Sequence, residues 1–278
     1  MRRPPVPLGG AAPEKRHGAQ EAMRTRLIIG NWKMHGDVAG NARRLDHLSA
    51  HAPRGVQIAV CPPYPFLAQC ADRLRGSGIS VGAQDVSAHP GGAHTGDVSA
   101  SMLAEFDCRY VLVGHSERRI DHHESDATIA HKVALAVGAG LRPVVCVGET
   151  LAERDGGRTA PVVAGQLVGA LAQLAPAQLE RIVVAYEPVW AIGTGQTATP
   201  EMAQAVHAMI RARLAALDPA AAASVPLLYG GSMKPANAAA LLAMPDIDGG
   251  LIGSASLEPQ DFIAIARAAA GTQEAAVV

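Results

Sequence analysis

The sequence is poor in aromatic residues and has no long hydrophobic run, and each shortage excludes something. Phe, Trp and Tyr make up only 3% of the 278 residues while hydrophobic residues reach 49%, so the core must be built from aliphatic side chains. Glycine, proline or a charged residue interrupts every apolar run before the roughly 18 residues of a membrane-spanning helix. We therefore expect a soluble globular protein with no membrane partner.

Neither sign of charge dominates. The 24 Lys and Arg residues against 25 Asp and Glu residues give a formal net charge of −1 without a long basic block, which argues against a nucleic-acid partner. An anionic ligand must then be bound by a local site. The four cysteines form no Cys-x-x-Cys pair and lie mostly in apolar segments, a pattern typical of reduced, buried thiols in the cytoplasm rather than of disulfides or a zinc site.

Lysine is scarce even among the basic residues. The chain otherwise uses arginine, and its abundant alanine indicates a compositional bias of the genome. A lysine retained against that bias is a candidate for a chemical role that a guanidinium does not fill, although a solvated surface charge is the alternative for each. The lysines are Lys15, Lys33, Lys132 and Lys234.

Residues 1–22 are rich in proline, glycine and charge, show no periodicity, and are predicted to be a disordered extension, with a second start at Met23. They lack the apolar region of a signal peptide, and their composition argues against a transit peptide. A misassigned start or an idle tail is favoured over a targeting role. Residues 23–278 would form the folded domain.

From Met23 onward, short apolar runs alternate with longer segments of helical spacing, the pattern of parallel βα units. Eight units in about 256 residues favour a single closed (β/α)8 barrel over an open doubly wound sheet, and no Gly-x-Gly-x-x-Gly motif follows the first strand. The predicted strands are Arg26–Asn31, Val56–Cys61, Ile79–Ala83, Tyr110–Gly114, Pro143–Val147, Ile182–Glu187, Pro226–Tyr229 and Gly249–Ile252.

Polar residues lie at the ends of several predicted strands, where a barrel forms its active site. His115 precedes a predicted helix, whose positive end favours a neutral imidazole that can donate a hydrogen bond; a strand-end histidine satisfied by the backbone is the alternative. Glu187 reaches the rim from a buried strand and is the candidate general base. The set of polar strand-end residues comprises Asn31, Lys33, His115, Glu149 and Glu187.

Small residues dominate the loops after the last three strands. Gly230-Gly231-Ser232 and Gly253-Ser254 lead toward helices, and backbone N–H groups in such loops bind phosphate at the usual barrel position; either loop alone could be a plain turn. Residues 191–198 are small and uncharged and lie between Pro188 and Thr199. Their composition is that of a lid that excludes water.

Together these motifs resemble those of the triosephosphate isomerases, from Arg26 to about Ala270. The resemblance implies interconversion of dihydroxyacetone phosphate and D-glyceraldehyde 3-phosphate through an enediolate, in glycolysis and gluconeogenesis, with no cofactor and no metal. The motifs that carry it are GNWKM at 30–34, GHSERR at 114–119, CVGET at 146–150, AYEPVWAIGTG at 185–195 and YGGS at 229–232.

The resemblance also implies a role for each site residue. Glu187 would move a proton between two carbons, neutral His115 would polarise the carbonyl and move protons between the oxygens, and Lys33 and Asn31 would bind substrate and stabilise the oxyanion. Glu117 would orient Lys33. The residues whose N–H groups would bind the phosphate are Gly193, Ser232, Gly253 and Ser254.

By the same resemblance the chain would be a homodimer whose loop 92–97 enters the partner's site through Thr95. Three positions depart from the family's pattern. His94 replaces a bulky aromatic residue, Asp97 replaces a longer glutamate expected to meet Arg118 across the interface, and Ser254 replaces a second glycine.

Two other functions stay open at this point. Another barrel isomerase acting on a longer phosphosugar is one, and a closing lid argues against its larger pocket. A non-catalytic protein that binds phosphorylated metabolites or acts at a surface is the other. The presence together of Lys33, His115 and Glu187 argues against it.

Overall fold

The computed structural model describes residues 24–193 and 197–274, with side chains as far as residue 271. The predicted extension, residues 1–22, and residues 194–196 of the predicted lid lie outside the described residues. Eight parallel strands form a closed barrel in chain order, each paired with the next and β8 paired with β1. The predicted (β/α)8 architecture is confirmed.

The strands agree with their predicted bounds to within two residues. The largest difference is at the fourth strand, which begins at Cys108 rather than Tyr110; the side chain of Arg109 is exposed there and interrupts the apolar pattern. The strands are β1 (Leu27–Asn31), β2 (Gln57–Cys61), β3 (Ser80–Ala83), β4 (Cys108–Val113), β5 (Arg142–Val147), β6 (Val183–Tyr186), β7 (Leu227–Tyr229) and β8 (Gly249–Ile252).

Helices connect the strands on the outside of the barrel. They are α1 (Val38–His51), α2 (Leu67–Leu74), α3 (Ala100–Glu105), α4 (Ser116–Asp121), α5 (Asp126–Gly138), α6 (Leu151–Asp155), α7 (Thr159–Leu171), α8 (Pro200–Leu217), α9 (Pro219–Ser224), α10 (Pro235–Leu242) and α11 (Pro259–Glu274). Short 3₁₀ helices lie at Tyr64–Phe66, Pro176–Arg181, Val189–Ala191 and Ser254–Ser256.

Aliphatic residues fill the space on both sides of the sheet, as the aromatic-poor composition predicted. One buried cluster lies inside the barrel, and a larger one lies between the strands and the helices. Closure of the barrel requires a glycine, because a Cβ at Gly249 would lie 1.8 Å from the carbonyl oxygen of Leu27. The interior residues are Leu27, Ile29, Ala59, Cys61, Tyr110, Leu112, Val144, Cys146, Val183, Ala185, Leu228 and Leu251.

All four cysteines are free and buried, which confirms that they form no disulfide. Burial raises the pKa of Cys70 and of Cys108 to about 12, so both stay protonated thiols near neutral pH.

Among the helices of the described residues, none combines the length and the apolar character needed to cross a bilayer.

Candidate active site

A cavity of about 350 Å³ opens at the carboxyl ends of the strands. The barrel brings to it residues from the loops after β1, β4, β6, β7 and β8, which are far apart in the sequence. Every residue predicted to contact substrate lines this cavity: Asn31, Lys33, His115, Glu187, Gly193, Ser232, Gly253 and Ser254.

Lys33 is held in the left-handed backbone region, with φ of 49°. Its N–H donates to Asn31 Oδ1 (3.0 Å), and its Nζ donates to Glu117 Oε1 (2.5 Å). Partial burial works to raise the pKa of Glu117, but the hydrogen bond and the charge of Lys33 outweigh this and hold the pKa below its ordinary value. Glu117 is therefore an ionised partner that aims the Lys33 ammonium.

A residue that the sequence reasoning missed, Gln84, fixes the same segment. Gln84 follows β3, and its Nε2 donates to the carbonyl oxygens of Lys33 (2.8 Å) and Cys61 (2.9 Å). A strained conformation of this kind persists only where surrounding contacts determine it. The sequence signal for Gln84 is its position, with Asp85, directly after the apolar strand β3.

His115 is the N-cap of α4, as its position after the fourth strand predicted. The backbone N–H of Glu117 donates to His115 Nδ1 (3.2 Å), so Nδ1 is an acceptor and the proton of the neutral ring lies on Nε2. Glu117 Oε2 also lies 3.5 Å from Nδ1, but the backbone donor is closer and determines the tautomer. His115 Nε2 is 3.1 Å from Glu187 Oε1.

Glu187 is 2% exposed and lies directly after β6. Its Oε2 accepts a hydrogen bond from the Ser116 N–H (2.9 Å), and its own N–H donates to the carbonyl of Val147 (2.8 Å). The backbone passes so close that a Cβ at Gly148 would lie 1.7 Å from the Glu187 carbonyl oxygen. Only glycine at position 148 allows this placement of Glu187.

Glu149 does not join the cavity, although the sequence grouped it with the other strand-end polar residues. Its side chain is completely buried, and Oε1 accepts hydrogen bonds from Trp190 Nε1 (2.9 Å) and from the Tyr186 hydroxyl (3.1 Å). The guanidinium of Arg154 lies over the Trp190 ring, 4.5 Å from its centroid. Glu149 thus fixes Trp190, the residue directly before the predicted lid at 191–198.

The loops after β7 and β8 lie side by side near Lys33. A Cβ at Gly253 would lie 3.7 Å from Lys33 Cε. Asn237, which the sequence reasoning missed, fixes the loop after β7: its Nδ2 donates to the Ser232 carbonyl (3.0 Å), and its Oδ1 accepts from the Lys234 N–H (2.7 Å). Asn237 thus holds the loop after β7 at the end of the cavity predicted to bind phosphate.

Arg118, expected to meet a carboxylate of a partner subunit, has two partners in its own chain. Its Nη2 lies 2.9 Å from Asp85 Oδ2, and its Nε donates to Glu124 Oε1 (2.6 Å). Lys132 Nζ donates to both of these carboxylates, at 2.7 Å and 2.5 Å. The four groups join the end of β3, α4 and α5.

The loop at residues 92–97 is exposed in the single chain. His94 stacks on His89, with ring centroids 3.7 Å apart, and Asp97 accepts a hydrogen bond from the Ser87 hydroxyl (2.6 Å). The contact of Asp97 with Arg118 of a partner subunit stays a prediction.

Comparisons with known proteins agree with this geometry. The family model described as triosephosphate isomerase matches residues 26–269. The triosephosphate isomerase of Ralstonia nicotianae is 58% identical over 245 residues, 88% of this chain and 99% of that protein. Those of Thiobacillus denitrificans and Bordetella pertussis are each 59% identical, over 248 and 246 residues, 89% and 88% of this chain and 100% and 98% of their own lengths. The chain belongs to the triosephosphate isomerase family.

Proposed function

We propose that this chain interconverts dihydroxyacetone phosphate and D-glyceraldehyde 3-phosphate, the reaction for which its family is named. One observation carries the proposal: the Glu187 carboxylate and His115 Nε2 lie 3.1 Å apart in a cavity that Lys33 also lines. A base, a hydrogen-bond donor and a cation in one cavity are the groups that proton transfer next to a carbonyl requires.

Glu187 is the base that moves the proton. Its carboxylate takes a proton from the carbon next to the carbonyl of dihydroxyacetone phosphate, which leaves an enediolate, and returns it to the neighbouring carbon. The product is the aldose, so that atoms and protons balance without a cofactor. Because the Ser116 N–H and His115 hold the two carboxylate oxygens, the base is positioned before substrate arrives.

His115 and Lys33 stabilise the negative charge that develops on oxygen. The Nε2–H of His115 donates to the carbonyl oxygen and then serves the proton transfers between the two oxygens. Lys33, aimed by Glu117, supplies the positive charge, and Asn31 lies beside it. Donors fixed in advance in this way contribute much of the rate enhancement of enzymes.

The phosphate is bound at the loops after β6, β7 and β8, by N–H groups of Gly193, Ser232, Gly253 and Ser254. All four residues line the cavity, and the hydrogen bond from Asn237 to the Ser232 carbonyl supports the placement of the loop after β7. Closure of residues 188–198 excludes water and keeps the enediolate from losing phosphate.

The test is a coupled assay with D-glyceraldehyde 3-phosphate. Glu187→Gln removes the base and is expected to lower kcat by about 10²–10⁴-fold, whereas Glu180→Gln, an exposed change at the opposite end of the barrel, leaves it unchanged. A wild-type rate no better than that of Glu187→Gln would overturn the proposed reaction.

A homodimer formed through loop 92–97 is part of the same proposal. Met34, next to Lys33, is 94% exposed in the single chain, and Met102 is 51% exposed, so apolar surface lies beside the active site. Sedimentation at micromolar concentration should give a dimer, and a monomer alone would contradict it.

The four free thiols support a cytoplasmic location.

Residues 1–22 are proposed to be dispensable. The family match begins at residue 26, and the relatives match 88–89% of this chain over 98% or more of their own lengths. A chain that starts at Met23 should keep full activity and the same free energy of unfolding. A large loss of either would show that the extension is structural.

A further inference from the structure

Three of the four lysines lie in the described part of the chain, and they differ in their charge partners. Lys33 is paired with Glu117, and Lys132 lies between Asp85 and Glu124. Lys234 has no carboxylate at ion-pair distance among the described residues, and it lines the active-site cavity. It is therefore an uncompensated positive charge at the mouth of the barrel.

The position of Lys234 is fixed by its backbone. It precedes α10, its N–H donates to Asn237 Oδ1 (2.7 Å), and Pro235 follows it in the first turn of the helix. The same Asn237 side chain holds the carbonyl of Ser232 (3.0 Å). The exposed ammonium is thus tethered within two residues of a group proposed to bind the substrate phosphate.

The charges of the cavity make such a cation consequential. A triose phosphate carries close to two negative charges near neutral pH, because the second pKa of a phosphate monoester is about 6. The protein carries a net charge of −1, and in the cavity Glu117 offsets Lys33 while Glu187 adds a negative charge. Of the two lysines that line the cavity, Lys234 is therefore the one whose positive charge no carboxylate of the described residues offsets, and it favours the approach of a substrate dianion to the mouth.

We propose that Lys234 steers the substrate phosphate into the cavity and so raises the rate of capture, kcat/KM, without contributing to the chemical step. The inference rests on the proposed isomerase function. It assigns Lys234 a role in recognition that needs only a positive charge at this position. Arginine should therefore replace it, and neutral or acidic side chains should not.

The experiment measures kcat and kcat/KM for D-glyceraldehyde 3-phosphate at ionic strengths of about 10 mM and about 500 mM, where the screening length falls from about 30 Å to a few ångströms. At low ionic strength Lys234→Gln should lower kcat/KM about three- to tenfold, with kcat unchanged, and Lys234→Glu should lower it further. At high ionic strength both differences should close. Lys234→Arg should stay within about twofold of the wild type.

Arg181→Gln is the matched control. It removes the same unit of charge from an exposed residue that precedes β6 at the opposite end of the barrel, and it should leave kcat/KM unchanged. Equal losses for Arg181→Gln and Lys234→Gln would overturn steering by Lys234 in favour of an effect of net charge. A loss at Lys234 that persists at high ionic strength, or that arginine does not rescue, would show a structural role and overturn it too.

The two proposals fail differently. An active wild type whose kcat/KM does not respond to Lys234→Gln at low ionic strength would overturn the steering inference alone. A wild type without isomerase activity would overturn the proposed function and with it this inference.

Discussion

At the amino end of the barrel, Asp248 accepts hydrogen bonds from Arg24 Nε (2.8 Å), Arg211 Nη2 (2.6 Å) and the Leu227 N–H (2.9 Å). At the carboxyl end, Lys33 is held in a strained conformation, and Lys234 faces the cavity with no carboxylate partner in the described part of the chain. The Asp248 carboxylate is thus compensated by its own chain, whereas the Lys234 ammonium is not paired with any carboxylate in the described part of the chain.

The difference separates stability from function. The buried carboxylate of Asp248 has three donors that compensate its charge, and removing it breaks two ion pairs and one buried hydrogen bond. Groups whose charge is not compensated by the protein can instead interact with a ligand. In (β/α)8 barrels the carboxyl end carries the active site and the amino end supports the fold, and Asp248 and Lys234 follow that division.

The largest effect is expected from Asp248→Ala. Loss of this carboxylate breaks its ion pairs with Arg24 and Arg211 and leaves the buried Leu227 N–H without its acceptor, so the free energy of unfolding should fall by about 3–5 kcal/mol. Activity per folded molecule should match the wild type. Urea denaturation measures the first quantity, with Asp155→Ala on the exposed end of α6 as the control that should change little.

Lys33→Gly tests the opposite end. Loss of the ammonium should lower kcat by about 10²–10³-fold, about 3–4 kcal/mol. The free energy of unfolding should stay within about 1 kcal/mol of the wild type, because glycine adopts the φ of 49° without strain. Instability as large as that of Asp248→Ala would show that the mouth also supports the fold and would break the comparison.

His207, which contacts the Asp246 carbonyl shortly before β8, makes the free energy of unfolding depend on pH. The residue is fully buried in α8, and burial lowers its pKa to about 4, although Asp246 accepts a hydrogen bond from Nδ1 (3.0 Å) through its carbonyl. Because the folded pKa lies below the unfolded value of about 6.5, the unfolded chain binds more protons. Stability is complete above about pH 6.5 and should fall by up to about 3 kcal/mol as the pH drops toward 4.

Denaturation curves between pH 7 and pH 4 measure this loss. His207→Gln should be less stable at pH 7 and should show a shallower decline on acidification than the wild type. An equally steep decline in the variant would assign the pH dependence to other groups.

Thr199→Ala has the smallest expected effect and refines the comparison. Thr199 lies at the carboxyl end, but its hydroxyl oxygen is already engaged by the Met202 N–H (3.2 Å) as the N-cap of α8. The free energy of unfolding should fall by about 1 kcal/mol, and Thr199→Ser should retain most of it. If Thr199→Ala and Thr199→Ser were equally destabilised, the cap would not be the cause.

Most of the fold could be predicted because its signals are local. Each strand is a nearly continuous apolar run buried on both faces, and Thr199-Pro200-Glu201 marks the start of α8 through side-chain and backbone chemistry within one turn. The start of β4 was missed because Arg109 points outward from a strand whose other residues are buried. A single exposed residue near its start therefore shifts the predicted beginning of a strand when the prediction relies on a continuous apolar run.

The site could be predicted only where its residues follow strands directly. Asn31, His115 and Glu187 lie within two residues of a strand end, and the closed barrel brings such ends together. Gln84 acts through backbone carbonyls 51 and 23 positions away, and no local pattern encodes such distances. Glu149 follows a strand as well, but its carboxylate is buried and accepts a hydrogen bond from Trp190, so it does not line the cavity.

The pairing of β1 with β8 also constrains the order in which the chain can fold. Leu27 lies beside Gly249, so the first strand to leave the ribosome waits for the last before its outer edge is paired. During synthesis that edge is open to strand addition by other chains, and the loop to be closed spans nearly the whole domain. Substitutions near Gly249 should therefore lower the yield of soluble protein made in cells before they change the properties of the folded molecules.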